Sequence, residues 1–306
     1  MDAPRTCYRH PDRETGLSCS ECGRPICYEC MSPAPVGLRC PEHSGKPTGI
    51  KKVAAPAQRA VTGRGSTRVN AVTMVLIAVN VAVFAAELAL GGSLNGTGNW
   101  IFEHGSLFAS GAYVPGGVAT LPPAATATAA AQGFHLVGVA HSEWWRLISA
   151  AFLHYGVFHL AINMYSLYFA GTLLEQIIGR WRFALLYVGA GIAGSAGALW
   201  VSPNSVTVGA SGAIFGILGG LFVLERRRHI STGGQIAGLI VLNLVLTFAF
   251  SSSISVGGHV GGLIGGFVLM WLMIETRRSA LASIAATAGV IAVSLVVTYM
   301  QVRNYQ

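Results

Sequence analysis

The sequence predicts an all-α polytopic membrane protein preceded by a small cysteine-rich module. Three observations carry this. Only 10% of the 306 residues are charged and 52% are hydrophobic, whereas a soluble domain carries about 25% charge; a chain so poor in charge faces lipid over most of its surface. The apolar residues gather into seven long segments. All six cysteines fall within the first 40 residues, so a compact cysteine module is joined to a cysteine-free membrane body.

The module, residues 1–46, reads Cys7-x2-His10, Cys19-x2-Cys22, Cys27-x2-Cys30 and Cys40-x2-His43. Four pairs of this spacing suit two tetrahedral zinc ions. Nothing before residue 69 resembles the apolar core of a signal peptide, so the N-terminus is expected in the cytosol. Reducing conditions there disfavour disulfides and favour metal. No ligand position is left open, which makes the two zincs structural. About 40 residues cannot hold a core without such a staple. The spacing alone leaves the pairing open, sequential or interleaved. The pair order resembles B-box zinc fingers, whose pairs interleave. That resemblance implies Cys7, His10, Cys27 and Cys30 around one ion, and Cys19, Cys22, Cys40 and His43 around the other. A protein partner is the expected role of the module. No nucleic-acid partner is expected, because the basic residues nearby are better explained by a membrane surface.

Residues 47–68, with Lys51, Lys52, Arg59, Arg64 and Arg68, read as a flexible basic linker. The seven apolar segments follow at about 69–90, 150–173, 182–201, 210–225, 235–251, 258–275 and 281–301, the fourth and fifth being short for a crossing of about 20 residues. With the N-terminus inside, the inner loops carry Arg180 and Arg182, then Arg226, Arg227 and Arg228, then Arg277 and Arg278. The outer side carries only Arg146 and Arg303. Positive residues therefore lie inside at every turn, and the C-terminus is expected outside. The expected setting is a bacterial plasma membrane, with the lipid bilayer as a partner. The net charge of +8 follows from these loops rather than from a nucleic-acid patch. The first outer loop, about 91–149, is long, and its Ala/Thr/Pro-rich stretch from Pro115 to Ala131 reads as a poorly ordered insertion.

Polar residues inside the apolar segments carry the chemistry. The second segment holds His154, His159 and Asn163; the last two lie four apart and share a helical face. Lipid cannot satisfy them, so they face the protein interior or each other. Taken alone, they read as a helix-to-helix hydrogen-bond pair. Ser211 stands in Gly209-Ala210-Ser211-Gly212 at the start of the fourth segment. Alone it reads as a small packing residue beside Gly212, Gly216 and Gly220. Its place at a helix start also offers free N–H groups for an oxyanion. His259, within Gly257-Gly258-His259-Val260-Gly261-Gly262, begins the sixth segment; a buried structural hydrogen bond is its plainer reading. By topology all four groups lie at one shallow depth, which is hard to obtain from unrelated residues.

The ordered set Trp145-Arg146, His154, His159, Asn163, Gly209-Ala210-Ser211-Gly212-Ala213-Ile214-Phe215-Gly216 and Gly258-His259-Val260-Gly261-Gly262 resembles the rhomboid family of intramembrane serine proteases. The resemblance covers about residues 69–275 and implies a six-helix core, with residues 276–306 as a seventh helix and tail. It implies Ser211 as nucleophile and His259 as general base, a dyad without an aspartate. His159 and Asn163 would serve as oxyanion donors with the Ser211 N–H. Phe215 matches an aromatic that packs on the catalytic histidine, often a tyrosine, so a hydroxyl is missing here. Trp145-Arg146 matches a structural motif of the outer loop, and His154 either supports the fold or lines the cavity. The expected partners are transmembrane protein substrates cut at small residues, with no cofactor for catalysis. Two other classes were weighed. An inactive relative that binds helices without cutting them would be expected to lack the serine or the histidine, and both are present. A transporter would be expected to show an internal repeat, and none is visible.

Overall fold

The computed structural model describes residues 5–34, 37–44, 70–94, 99–115, 117–276 and 279–306. The linker 47–68 and Arg277 and Arg278 lie outside the described residues. The chain divides into two compact units, residues 1–65 and 66–306.

The first unit is built from two short antiparallel pairs, β1 (Thr6–Cys7) with β2 (His10–Glu14), and β3 (Ser32–Pro33) with β4 (Leu38–Arg39). Its buried centre is Ile26 with five of the cysteines, Cys7, Cys19, Cys27, Cys30 and Cys40. So little apolar surface cannot hold a fold by burial alone.

The second unit is a helix bundle. In order, it contains α1 (Ala71–Ala89), α2 (Trp100–Gly105), α3 (Pro123–Ala131), α4 (Arg146–Ser149), α5 (Val157–Ser166), α6 (Thr172–Ile178), α7 (Arg180–Val201), α8 (Ser211–Arg226), α9 (Gln235–Ala249), α10 (Val256–Glu275) and α11 (Ala280–Val302). A π-helical turn, Leu167–Gly171, joins α5 to α6 in one continuous span. Among the described residues, five helices are long and apolar enough to cross a membrane: α1, α5 through α6, α7, α10 and α11 with its tail. Helices α8 and α9 are shorter, at 16 and 15 residues. Polar side chains within the spans turn inward, with Thr73, Asn80, Ser283, Thr287 and Thr298 all buried, while valines, leucines and isoleucines face out. This is the inverse of a soluble protein and fits an integral membrane protein.

Two expectations need correction. The second span does not begin at 150. A short 3-10 turn (Ala150–Phe152) and an extended stretch precede it, and Gly156 at φ +107° separates that stretch from Val157. His154 therefore sits before the helix, not in it. The Pro115–Ala131 stretch is not a poorly ordered insertion over its described residues. Strands β5 (Gly111–Val114), β6 (Gly117–Thr120) and β7 (Leu136–Val137) form a three-stranded sheet in the order β6-β5-β7, and α3 packs beside it. Pro123 occupies the first position of α3, where its missing N–H costs nothing. Alanine favours the helix that follows. Thr126 is buried, and its hydroxyl lies within hydrogen-bond distance of the Pro122 carbonyl and the Ser110 hydroxyl.

Arg146 anchors the outer loop. It is fully buried, pairs with Glu143 at 2.7 Å and donates to the carbonyls of Glu103 and Ser106. At the other end of the bundle, the buried Glu175 of α6 accepts from the N–H groups of Val72 and Thr73 and from the Thr73 hydroxyl. It thereby satisfies the free donors at the start of α1, a hundred residues away in sequence. Replacing Glu175 by alanine is expected to lower stability by about 1–3 kcal/mol, read as a shift in reversible unfolding in mixed micelles; an unchanged midpoint would show that water caps α1 equally well.

Candidate functional site

Three helices bring the site together because their contact faces are glycine. A methyl group added at Gly262 of α10 would strike the Gly212 carbonyl of α8, and one at Gly266 would strike the Gly216 carbonyl. Gly194 of α7 meets Gly212 and the Gly258 carbonyl, and Gly197 meets Gly257. Backbones approach this closely only where no side chain intervenes. Helices α8 and α10 therefore start side by side, with Ser211 as the first residue of one and His259 in the first turn of the other.

The Ser211 Oγ lies 2.9 Å from the His259 Nε2, across 48 residues of sequence. Ser211 is half-buried and His259 is buried. Phe215, one turn below Ser211, stacks on the imidazole with centroids 4.1 Å apart and planes 18° from parallel. On the far side, the His259 Nδ1 lies 2.7 Å from the Thr247 hydroxyl of α9. Ser255 caps α10 by accepting from the Gly258 N–H, and that capped turn holds His259.

His159 and Asn163 lie in the first two turns of α5 and face Gly209, two residues before Ser211. An added methyl at Gly209 would meet the His159 ring at 2.7 Å, with the Asn163 Nδ2 at 3.9 Å. Gly209 also has φ +118°, a conformation that favours glycine. The Tyr155 N–H donates to the His159 Nδ1, so in the neutral ring the Nε2 carries the hydrogen. The Asn163 Nδ2 donates one hydrogen to the His159 carbonyl and keeps a second. Ser211, as the first residue of α8, has no intrahelical carbonyl for its N–H. His154 is buried with its ring edge against His159, at 5.1 Å between centroids. A small cleft of about 30 Å³ beside Ser211, lined among others by Gly209, Ser195 and Ser255, has room for water. Trp145 donates to the His104 carbonyl in the outer loop, away from the serine.

The sequence reading missed Thr247, whose hydroxyl touches the imidazole, and Tyr155, whose N–H orients His159 and whose hydroxyl donates to the Val206 carbonyl. The only available signal was a lone threonine in an apolar helix. A second serine–histidine contact, Ser110 Oγ to His141 Nε2 at 2.9 Å, lies in the outer loop. Ser110 is fully buried, with the Thr126 hydroxyl 3.0 Å from its oxygen, so it is sealed from any substrate.

In the first unit the ligand atoms form two groups, Cys7/His10/Cys27/Cys30 and Cys19/Cys22/Cys40/His43, each with its atoms within 4.8 Å of one another. The pairs interleave rather than follow in sequence. The His10 Nδ1 is 3.4 Å from the Cys27 sulfur and 3.3 Å from the Cys30 sulfur, and the His43 Nδ1 is 3.1 Å from the Cys40 sulfur. A tetrahedral zinc with bonds of 2.0–2.3 Å spaces its ligands by roughly 3.5–3.8 Å, so both groups fit a metal. Burial works against the Cys7 thiolate, but backbone hydrogen bonds from Cys27, Arg9 and His10 and the His10 side chain outweigh it and hold that thiol down to about 6. Burial, with the Cys7 and Cys27 thiols beside it, pushes the Cys30 thiol up to about 11.

Fold and site together define a polytopic membrane protein with a serine–imidazole pair at one end of its helix bundle. The family model described as the Rhomboid domain matches residues 141–276. The chain is 39% identical over 149 residues to the putative rhomboid protease YdcA of Bacillus subtilis (strain 168), covering 47% of this chain and 74% of that protein. It is 45% identical over 125 residues to the rhomboid protease GluP of the same organism, covering 40% of this chain but only 24% of that protein. A third relative, the inactive RHOMBOID-like protein 8 of Arabidopsis thaliana, is 32% identical over 108 residues, covering 35% of this chain and 31% of that protein. The chain belongs to the rhomboid family.

Gly209→Ala is expected to cost about 1–3 kcal/mol through backbone strain and its clash with His159; reversible unfolding of that variant reads the loss, and full stability would show that the loop can move aside.

Proposed function

We propose that this chain is an intramembrane serine protease, cutting transmembrane protein substrates by a Ser211–His259 dyad. The observation that carries the reading is the 2.9 Å contact between the Ser211 hydroxyl and the His259 Nε2. A serine hydroxyl is a weak nucleophile until a neighbouring base takes its proton. Ser211 Oγ adds to a substrate carbonyl carbon while its proton passes to the His259 Nε2. The developing oxyanion accepts from the His159 Nε2–H, the free Asn163 N–H and the Ser211 N–H. His259 then gives the proton to the departing amine, leaving an ester on Ser211. Water attacks that ester with His259 again as base, and the serine is restored. Phe215 holds the imidazole plane throughout.

The relatives named as proteases support the reading, and one relative is named inactive. What favours activity here is that the hydroxyl and the imidazole are in contact and that the residues proposed as donors are all present. The orientation that fits the loop charges puts the N-terminus and arginines 180, 182 and 226–228 in the cytosol, and the site near the outer face. Residues 1–46 would be a separate module, held by two structural zincs on the eight ligands above, with a protein partner as its role. The metals supply folding energy and no chemistry; a B-box-like arrangement fits the interleaved pairing.

The test is cleavage of a single-span substrate in liposomes. Ser211→Ala and His259→Ala are expected to abolish cutting with unchanged folding, and His159→Ala or Asn163→Ala to lower kcat by about 10²-fold; cutting that survives Ser211→Ala removes the proposal. Metal analysis is expected to find two zincs per chain, and a strong chelator to unfold the module. A module that keeps its fold after the metal is stripped would contradict the zinc assignment.

A further inference from the structure

We infer that Thr247 is the positioning residue that fixes the tautomer of His259. The inference rests on reading His259 as the base for Ser211.

A count of protons decides the tautomer. The Thr247 hydroxyl lies 2.7 Å from the Asn243 carbonyl and 2.7 Å from the His259 Nδ1. A carbonyl oxygen only accepts, so both contacts are hydrogen bonds at once only when the single hydroxyl proton goes to Asn243. Thr247 then offers His259 only lone pairs, and the Nδ1 must donate to it. A neutral imidazole carries one ring proton. With that proton on Nδ1, the Nε2 facing Ser211 is bare and accepts the serine hydroxyl. The opposite tautomer would aim an Nε2–H at Ser211 and draw the hydroxyl proton to the Nδ1, giving up the bond to the Asn243 carbonyl. A base that must take the serine proton therefore depends on the threonine behind it, in the role a carboxylate fills in a triad.

The packing of α9 agrees. Its buried residues are Ile236, Ile240 and Thr247. These fall on one stripe, so the stripe that seats α9 against the bundle ends in the one hydroxyl aimed at His259. Leu246 and Phe248 on either side of Thr247 are exposed, and Thr247 itself is 1% exposed. A valine would fill the same space without the hydroxyl, which isolates the hydrogen bond from the packing.

The experiment uses the full chain in detergent with ¹⁵N-labelled histidine, the His259 signals being those lost in His259→Ala. The expected spectrum of the parent has a protonated Nδ1 and a bare Nε2. In Thr247→Val the Nε2–H form is expected to appear, and kcat to fall about tenfold, the worth of one ordinary hydrogen bond, with KM within about twofold. Thr247→Ser is expected to restore both the spectrum and kcat. A parent spectrum with the proton on Nε2 overturns the inference without any variant. So does a Thr247→Val spectrum identical to that of the parent. If the tautomer shifts as expected but the parent cuts no substrate, the assignment of Thr247 stands and the protease reading fails.

Discussion

Glycine-on-glycine packing between α7, α8 and α10 is the constraint on which the rest depends. In lipid, helices gain little by hiding apolar surface from one another, and close backbone contact is the main source of attachment. Gly212 and Gly216 of α8 face Gly262 and Gly266 of α10 with no room for a methyl group. That spacing sets the distance between the first turns of the two helices, and so the distance between Ser211 and His259. A larger residue at Gly262 or Gly266 would strike the carbonyls of α8 and push the two helices apart. The glycines of this seam are thus a geometric requirement of the site.

Around this rigid seam the remaining parts are added by single hydrogen bonds. Gly209 lets the His159 ring lie against the loop just before the serine, Tyr155 orients His159, and Phe215 and Thr247 hold the two sides of the His259 ring. The outer loop is fastened separately, through Arg146 buried among carbonyls and Glu143. Helix α9 differs from the seam helices, being attached by a narrow stripe with most of its leucines and valines exposed.

Much of this was legible in the sequence because the motifs are local. Gly-Ala-Ser-Gly and Gly-Gly-His-Val-Gly-Gly announce helix starts with a reactive side chain, and the seven apolar segments give the bundle. The interleaved grouping of the cysteine and histidine pairs follows from pair order and resemblance, since spacing alone leaves the pairing open. What sequence did not reveal are contacts set by three dimensions. Glu175 caps a helix whose start is about a hundred positions earlier. Thr247 looks like any threonine that bonds its own helix, and only the return of α10 puts an imidazole beside it. The Pro115–Ala131 stretch reads as low complexity, yet alanine and threonine are enough for a short helix once Thr126 finds Ser110. His154 was placed in the wrong element because the apolar run continues through the turn at Gly156, where the backbone, not hydropathy, decides the helix start.

The central claim is that His259 activates Ser211, and its most direct test is covalent. The folded chain is treated with a serine-directed fluorophosphonate and the adduct is located by peptide mass spectrometry. The expected result is an adduct on Ser211, lost when the protein is unfolded first and lost in His259→Ala. An adduct on another serine, such as Ser110 beside His141, or none at all from the folded protein, would contradict it.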